Sequence, residues 1–351
     1  MRSIRLFPAF LATLALTACA PSTPSASSAA PETEPVRSEL FAMDTVMDLT
    51  VYGTDPAEGE ALLADAEAEI RHLEGLLSVT DPDSEIYAAD HSGGVPVPLS
   101  EDTADLVAQA LTLCERTGGA LDISIYPVVR AWGFTTGDYR VPGEEELQSL
   151  LRAVDWTRIR LDGDRLTVPD GMEIDLGAVA KGYTGDRLMD LFRDRGVTSA
   201  LVSLGGNIQA LGSKPDGSAW RVALQDPDGD GYAGVVELRD EAAITSGGYE
   251  RYFEENGVRY WHIIDPADGH PARSGVASAT IVGPSGIEGD ALSTALFLLG
   301  PERAADCWRA NDGFDYVLLL EDGTVQISEG LEDRFSLYGD WEGRDLTVIR
   351  R

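Results

Sequence analysis

The stretch DLGAVAKGY, residues 175–183, combines one acidic residue, several small residues and one lysine at the predicted start of a helix. Gly177, Ala178 and Ala180 add little side-chain bulk, so a large ligand can approach the backbone closely there. Free N–H groups at a helix N-terminus favour anions, and Lys181 adds a positive charge. The pattern indicates a phosphate-binding site. A helix packed tightly on a sheet, with Lys181 solvated, is the alternative.

A second segment, GDALSTALFLLG at residues 289–300, carries oxygen ligands on a predicted helix. Asp290 and Thr294 are four positions apart, so they share one face of that helix. Carboxylate and hydroxyl oxygens are the ligands that a hard cation such as Mg²⁺ prefers. The spacing therefore allows the two side chains to share one ligand.

His262 lies in YWHIIDP, a segment that we predict to be part of a strand. Alternation along a strand places His262 on the same face as Tyr260 and Ile264, opposite Trp261 and Ile263. An imidazole with an ordinary pKa of about 6.5 can take a proton from a hydroxyl at neutral pH. His262 is therefore a candidate general base, and a structural histidine is the alternative.

One conspicuous motif is interpreted as a turn. DPDGDGYAGVVE, residues 226–237, matches the acidic positions of an EF-hand calcium loop. An EF-hand needs a helix on each side, whereas the flanking segments have the pattern of strands. Because Asp and Gly are also typical of hairpin turns, we predict a hairpin, with calcium binding as the weaker alternative.

The composition restricts the classes of partner. The 351 residues include 60 acidic and 27 basic ones, for a formal net charge of −33. A surface this acidic repels nucleic acid, so no nucleic-acid partner is expected. An anionic substrate would need local help from N–H groups, a lysine or a metal ion.

The N-terminus has the layout of a secretory signal that ends at Cys19. Two arginines precede a short apolar run, and LTAC, residues 16–19, resembles the bacterial lipoprotein box, in which the cysteine is lipidated. An ordinary cleaved signal is the alternative. Residues 20–37 are rich in Pro, Ser and Ala and are predicted to be a flexible tether. The sequence thus predicts segments 1–19 and 20–37, followed by one catalytic domain over 38–351.

Within that domain, short strands separated by tight turns alternate with amphipathic helices. This favours an α+β fold with antiparallel sheets flanked by helices. Predicted helices cover residues 55–78, 100–116, 144–154, 177–195 and 288–299. Predicted strands cover residues 38–52, 158–168, 200–204, 219–224, 233–239, 258–264, 276–282, 315–320 and 324–328. Cys114 and Cys307 lie in apolar helical patterns, which favours two separate buried thiols over a disulfide.

Taken in order, six segments resemble the ApbE family, the FAD:protein FMN transferases, over residues 38–345. They are MDTVMDL (43–49), GGALDISIYPVVRAWGF (118–134), DLGAVAKGY (175–183), SLGGNIQALG (203–212), TSGGYERYFEENGVRYWHIIDPADGHP (245–271) and GDALSTALFLLG (289–300). The resemblance implies FAD contacts at Met43, Thr80, Ala120, Leu121, Asp122, Asp175, Lys181 and Ile264. It implies Mg²⁺ ligands at the Ala178 carbonyl, Asp290 and Thr294.

The chain departs from the family pattern at two positions. Some members have an aspartate where this chain has Ser293, so the metal site has one carboxylate fewer or Ser293 ligates through its hydroxyl. The usual Met-Gly-Thr is Met43-Asp44-Thr45 here, which leaves the backbone fit to the flavin open.

The resemblance implies transfer of FMN from FAD to a Thr or Ser hydroxyl, with AMP leaving. Lys181 and His262 would take part in this transfer. Phosphoryl transfer generally relies on Mg²⁺ and a cationic side chain to neutralise charge. The expected acceptor is an extracytoplasmic flavoprotein subunit of a membrane redox complex, and the expected location is the membrane, through the lipid anchor. An FAD pyrophosphatase, which hydrolyses FAD to FMN and AMP, and a non-catalytic flavin-binding lipoprotein are the alternatives.

Overall fold

The computed structural model describes residues 34–351, so the predicted signal, Cys19 and most of the predicted tether lie outside the described residues. The first strand begins at Val36, two residues before the predicted start of the domain. None of the described helices combines the length and apolar composition needed to cross a bilayer.

The described residues contain both kinds of regular element in mixed order. The helices are α1 (Pro56–Leu77), α2 (Glu85–Asp90), α3 (Glu101–Arg116), α4 (Tyr126–Ala131), α5 (Glu144–Leu150), α6 (Ala180–Asp194) and α7 (Gly286–Ala310). The strands are β1 (Val36–Ala42), β2 (Thr45–Val51), β3 (Val97–Pro98), β4 (Arg160–Asp162), β5 (Arg165–Thr167), β6 (Ser199–Leu204), β7 (Asn207–Gly212), β8 (Trp220–Gln225), β9 (Tyr232–Leu238), β10 (Ala242–Gly247), β11 (Tyr252–Glu255), β12 (Val258–Trp261), β13 (Val276–Gly283), β14 (Asp315–Leu320), β15 (Val325–Ser328), β16 (Phe335–Leu337) and β17 (Leu346–Ile349).

In residues 34–351 the largest sheet has nine strands, in the order β1-β2-β6-β7-β10-β13-β14-β15-β17. All of its neighbours are antiparallel except the parallel pair β15–β17. Smaller sheets have the orders β11-β12, β16-β9-β8 and β3-β5-β4. Helix α7 packs along β10 and β13, and α6 packs on both α7 and β7. The predicted α+β architecture is confirmed.

The apolar face of α7 is buried against the sheet. Leu292, Leu296 and Phe297 are at most 1% exposed and pack with Ala279 and Ile281 of β13. Burial of each such large side chain stabilises the fold by about 1.5–3 kcal/mol. The same packing fixes α7 against the sheet and with it the positions of Asp290 and Thr294 on this helix.

The single strand predicted over residues 38–52 is wrong. It is the hairpin β1–β2, whose two-residue turn is Met43-Asp44. Met43 (φ 47°) and Asp44 (φ 60°) are both left-handed, the conformation that a tight hairpin turn requires. The alternating pattern continues through the turn and neither residue is Gly, so no local signal marks the turn in the sequence. Asp tolerates this conformation better than most residues, so Asp44 can replace the usual glycine.

Helix boundaries also differ from those predicted. Helix α6 begins at Ala180 rather than at residue 177, because residues 176–179 form a turn. Helix α7 runs on to Ala310, although its geometry is interrupted at Gly300 (φ 75°), just before Pro301. The predicted helix 144–154 is α5 followed by a short 3₁₀ turn.

Two predicted strands are also divided or shortened. The predicted strand 158–168 is the short hairpin β4–β5, and the predicted strand 258–264 ends at Trp261. The prediction for residues 226–237 is confirmed, because β8 and β9 pair antiparallel on either side of a turn. The EF-hand pattern therefore lies in a hairpin without the flanking helices that such a site needs.

The two cysteines of the described residues are free thiols. Cys114 is buried on α3, and burial raises its pKa to about 12. Cys307 is half-buried on α7, where burial likewise raises its pKa. Raised pKa values keep both thiols protonated and slow to react.

Candidate active site

The site is built where α6 crosses α7. Gly182 of α6 faces Gly286 of α7 so closely that a Cβ added to Gly182 would lie 2.5 Å from the Gly286 carbonyl carbon. Only glycine permits this approach of the two backbones. The Gly182 N–H donates to Asp290 Oδ2 at 2.9 Å, so the crossing delivers a backbone donor to the carboxylate.

The Asp290 carboxylate is held on both oxygens. Oδ1 accepts a hydrogen bond from Asn207 Nδ2 at 2.9 Å, while Oδ2 accepts from Gly182. Asp290 is 5% exposed and Asn207 is 2% exposed. Each carboxylate oxygen retains a second lone pair. The Asp290 carboxylate is thus buried and held in a fixed orientation, as a carboxylate that binds a metal ion needs to be.

The Ala178 carbonyl lies one turn before Gly182. Because the Gly182 N–H points to Asp290, it does not donate to Ala178, and no other backbone donor reaches that carbonyl within residues 34–351. A half-buried carbonyl without a donor remains free to ligate a cation. This supports the predicted pairing of the Ala178 carbonyl with Asp290.

Ser293 and Thr294 are linked to β10 through Ser246. Ser293 is fully buried, donates to the Asp290 carbonyl at 2.9 Å and lies 2.8 Å from Ser246 Oγ. Thr294 Oγ1 lies 3.2 Å from the same Ser246 oxygen. The Ser293 hydroxyl is therefore engaged within the protein, whereas Thr294 has the single, longer contact.

The donor set fits Mg²⁺ through its chemistry. Within the described residues no group of three or more His, Cys, Asp or Glu side chains is placed to hold a metal ion. The predicted set has a single carboxylate, a carbonyl and a hydroxyl, all of them oxygen donors. Mg²⁺ is commonly held by one or two carboxylates together with substrate phosphates and water, which matches this set.

Lys181 lies in the first turn of α6, one residue before Gly182. Helix α6 has no side-chain cap at its N-terminus, and the Lys181 N–H has no backbone acceptor within residues 34–351. The half-buried Lys181 side chain forms none of the ion pairs found in this part of the chain. The backbone N–H and the side-chain ammonium of Lys181 are thus both available to an anion, as predicted for a helix N-terminus that binds phosphate.

Glu250 and Arg251 also belong to this group, although their residue types and spacing did not predict a role for them. Burial raises the pKa of the Glu250 carboxyl to about 7; nearby Lys181 and Arg251 oppose the rise, and Asp290 adds to it. Glu250 is nevertheless exposed to solvent, so protein groups crowd its carboxyl without closing it off from water. The pair follows a Gly-Gly turn in TSGGYERYF. This position after the turn was the sequence signal that could have identified the two residues.

His262 follows β12 and is anchored to Arg251. Its backbone N–H donates to the Arg251 carbonyl at 3.1 Å, and its Nδ1 lies 3.2 Å from the same oxygen. A carbonyl can only accept, so Nδ1 carries the proton and the Nε2 lone pair is free. Burial lowers the pKa of His262 to about 3, with Arg251 and Lys181 lowering it further. The ring is therefore neutral at neutral pH.

The predicted alternation around His262 is confirmed even though the strand ends at Trp261. Tyr260 and Ile264 pack together in one cluster with Trp132, whereas Trp261 and Ile263 pack in the cluster that contains α7. Ile264 is buried and forms an isolated bridge with Pro271.

Asp175 and the 120–122 turn, two of the predicted FAD contacts, are brought together. The Asp175 N–H donates to the Ile123 carbonyl at 2.8 Å, and Asp175 Oδ1 accepts from the Gly177 N–H at 2.6 Å. Asp122 Oδ1 accepts from the Ser124 N–H at 2.8 Å, and Leu121 is buried. Burial raises the pKa values of both Asp122 and Asp175, and Arg251 opposes the rise at Asp175.

Met43 is tied to the end of α1 and to α6. Its N–H donates to Glu74 Oε1 at 2.6 Å, and Thr184 Oγ1 lies 3.9 Å from its sulfur. Thr80 is exposed three residues beyond α1 and bonds to Ser78. The structure connects Met43 directly to the helix that carries Lys181, while Thr80 has no hydrogen bond to another predicted site residue within residues 34–351.

Comparison with known proteins places the chain. The ApbE family model matches residues 43–318. An FAD:protein FMN transferase of Treponema pallidum is 36% identical over 318 residues, covering 85% of this chain and 88% of the relative. One from Klebsiella pneumoniae is 32% identical, covering 82% and 90%, and one from Escherichia coli is 30% identical, covering 80% and 83%.

Solved structures give the same answer. The ApbE protein of Thermotoga maritima has a TM-score of 0.81 at 30% identity and covers 86% of this chain and 99% of its own. The flavin transferase ApbE of Vibrio cholerae has a TM-score of 0.75 at 28% identity and covers 88% and 97%. From its motifs, fold and relatives, the chain belongs to the ApbE family.

Proposed function

We propose that this protein transfers the FMN moiety of FAD to a Thr or Ser hydroxyl of an acceptor protein, in a Mg²⁺-dependent reaction that releases AMP. One observation carries the proposal. Lys181 lies near both Glu250 and His262, and the oriented Asp290 carboxylate lies near Glu250, so a lysine without an ion pair, a carboxylate and a neutral histidine are neighbours. The relatives named FAD:protein FMN transferase supply the substrate class.

The chain's own groups divide the work of such a transfer. Lys181 and the N-terminus of α6 would neutralise the pyrophosphate of FAD. His262 Nε2 would take the proton of the acceptor hydroxyl while the oxygen of that hydroxyl attacks the phosphorus of the FMN half. The bond from that phosphorus to the bridging oxygen then breaks, and AMP leaves with that oxygen.

The pKa of His262 fits this role only after substrate binds. In the free protein burial is the main cause that lowers the pKa of His262 to about 3, and Arg251 and Lys181 lower it further. A bound pyrophosphate would offset both positive charges and raise the pKa of the imidazole towards the range of an effective base. The imidazole would therefore be a stronger base with FAD in place than in the free site.

Asp290, Thr294 and the Ala178 carbonyl would hold Mg²⁺. Ser293 donates a hydrogen bond to the backbone carbonyl of Asp290. When bound, the metal supplies charge neutralisation at the pyrophosphate. Only one carboxylate is contributed, so we expect substrate oxygens to complete the metal's coordination and metal and FAD to bind cooperatively.

The acceptor and location follow from the N-terminal pattern. LTAC, residues 16–19, supports lipidation at Cys19 and a membrane-anchored position outside the cytoplasm. We propose that the acceptor is a flavoprotein subunit of a membrane redox complex on the same side. The tether before Val36 would let the domain reach it.

The experiment that tests the proposal compares His262→Ala with His270→Ala. His270 lies on the adjoining loop, half-buried and 3.3 Å from Glu144, and has no assigned role. Three quantities are measured on each variant: melting temperature, FAD dissociation constant and rate of FMN–acceptor adduct formation.

We expect His262→Ala to lose adduct formation by about 10²–10⁴-fold while FAD affinity and melting temperature change little. His270→Ala should remain near wild type in all three. A His262→Ala protein that transfers FMN at the wild-type rate would remove this histidine from the mechanism. AMP release that persists without adduct would favour the FAD pyrophosphatase alternative.

A further inference from the structure

Asp186 of α6 forms an unusual link to the start of α7. Its Oδ1 accepts the Gly286 N–H at 2.6 Å and its Oδ2 accepts the Ile287 N–H at 2.9 Å. Ser285 Oγ lies 3.4 Å from the same Oδ2. One carboxylate on α6 therefore receives the first two N–H groups of α7, residues 99 or more positions away in sequence.

This link is separate from the ordinary cap of α7. Ser285 is the N-cap residue, and its hydroxyl accepts the Glu288 N–H. Asp186 takes donors that a side chain from another element rarely reaches, and its charge favours the positive end of the helix dipole. The carboxylate thus joins two helices as well as capping one.

The position of the link relates it to the active site. Asp186 lies five residues after Lys181 on α6, and Gly286 lies four residues before Asp290 on α7. The same crossing contains the Gly182–Gly286 approach, and Gln209 Nε2 donates to the Gly182 carbonyl at 3.0 Å. Whatever fixes α6 against the first turn of α7 also fixes the lysine against the carboxylate.

We infer that Asp186 is a positioning residue for phosphoryl transfer, setting the distance between the Lys181 cation and the Asp290 metal ligand by clamping α6 to the first turn of α7. The inference rests on the proposed function. Asp186 itself does not reach substrate or metal, and it acts through the two helices.

The surroundings of Asp186 make its ionisation sensitive to pH. Burial raises its pKa to about 6, the three donors of α7 oppose the rise, and Asp190 adds to it. The charged and titratable groups that line the adjacent cavity of about 370 Å³ are Asp105, Tyr183, Arg187, Asp190, Arg193, Asp240 and Glu241. Arg187 and Arg193 are both already paired with other carboxylates.

Protonation of Asp186 has opposite effects on the stability of the protein and on the link that positions α6 against α7. Its folded-state pKa lies above the unfolded value of 3.8, so between about pH 4 and 6 this group favours the folded state as pH falls. The neutral carboxyl, however, directs a hydroxyl at a backbone N–H and loses one acceptor. Activity should therefore fall as the pH drops below about 6, although protonation of Asp186 does not lower the stability of the protein.

The test compares Asp186→Asn with Ser285→Ala in the full chain. The Asn variant preserves the side-chain shape but turns an amide N–H₂ towards one donor of α7. The Ser285 variant removes the ordinary cap and the 3.4 Å contact of its hydroxyl with Asp186, and leaves both backbone hydrogen bonds from α7 to Asp186. Three readouts are taken: Mg²⁺ affinity by calorimetry with FAD present, the pH profile of AMP release, and melting temperature.

We expect Asp186→Asn to weaken Mg²⁺ binding about 10-fold or more and to show a smaller fall in activity below about pH 6 than wild type, the remaining fall belonging to His262. Ser285→Ala should lower the melting temperature but leave Mg²⁺ affinity within about 3-fold of wild type. If Asp186→Asn does not fold, Asp186→Glu, which keeps the charge and displaces it, is measured in the same way, with weaker Mg²⁺ binding expected.

Wild-type Mg²⁺ affinity and an unchanged pH profile in the folded Asp186 variant would overturn the inference, as would equal weakening in Ser285→Ala. Failure of the proposed function is recognised separately, because wild type would then form no FMN adduct at all. The calorimetric comparison can be read in either case.

Discussion

Gly182→Ala is expected to damage the site through geometry alone. A Cβ at this position would lie 2.5 Å from the Gly286 carbonyl carbon and 2.8 Å from Asp290 Cβ. Carbon atoms in contact prefer about 3.5–4.0 Å, so α6 and α7 must separate by roughly 1 Å. Both neighbours belong to a buried helix whose packing resists the shift.

The magnitude follows from that separation. Overpacking of this kind costs about 1–3 kcal/mol of folding free energy. The 2.9 Å bond from Gly182 to Asp290 Oδ2 would lengthen beyond hydrogen-bonding distance, and Asp290 would move relative to Lys181. A 1 Å misplacement of a reacting group can lower the rate by about 10²-fold, and we expect a loss of that order.

The assay pairs this variant with Gly75→Ala. Gly75 is an exposed glycine of α1 with no atom within 4 Å of its added Cβ. Because alanine is the better helix former, Gly75→Ala should stabilise the protein by about 0.5–1 kcal/mol and leave activity unchanged. Thermal unfolding and FMN-adduct formation are measured on both variants.

The reasoning would be refuted by Gly182→Ala protein that unfolds at the wild-type temperature and forms adduct at the wild-type rate. Loss of stability with full activity in the folded fraction would show that the crossing supports the fold but does not set the position of Asp290.

Three further predictions concern the metal, a buried acid and the anchor. Asp290→Ala should lower the rate about 10²-fold or more and abolish its dependence on Mg²⁺; full wild-type activity of this variant in chelator would contradict the metal assignment. Burial raises the pKa of Asp90 to about 8, so stability should fall as pH rises from about 4 to 8; Asp90→Asn should flatten that slope in pH-dependent unfolding, and an unaltered slope would contradict it. Cys19→Ser should release the protein from the membrane fraction; continued fractionation as a lipidated form would contradict the anchor.

Periodicity and turn chemistry carried much of the fold prediction. The hairpin at residues 226–237 was predicted because Asp and Gly clusters between alternating segments favour turns over metal loops. The face shared by Tyr260, His262 and Ile264 was predicted because alternation outlasts the hydrogen-bonded strand. Both are local properties, which a sequence expresses directly.

Features that depend on tertiary contact were missed. The turn at Met43-Asp44 requires two left-handed residues, and neither one is glycine. Asn207 and Glu250 acquire their roles only because β7 and the loop after β10 meet α7 beside Asp290. A contact between elements far apart in the chain leaves no periodic signal. The motifs located these residues without revealing what they do.

The most direct test of the central claim is a mass measurement on the acceptor. The purified protein is incubated with FAD, Mg²⁺ and a candidate flavoprotein subunit, and AMP is quantified in the same samples. We predict one FMN on one Thr or Ser of the acceptor for each AMP released, with neither product in chelator. AMP and free FMN without a modified acceptor, or an adduct formed equally well in chelator, would contradict the claim.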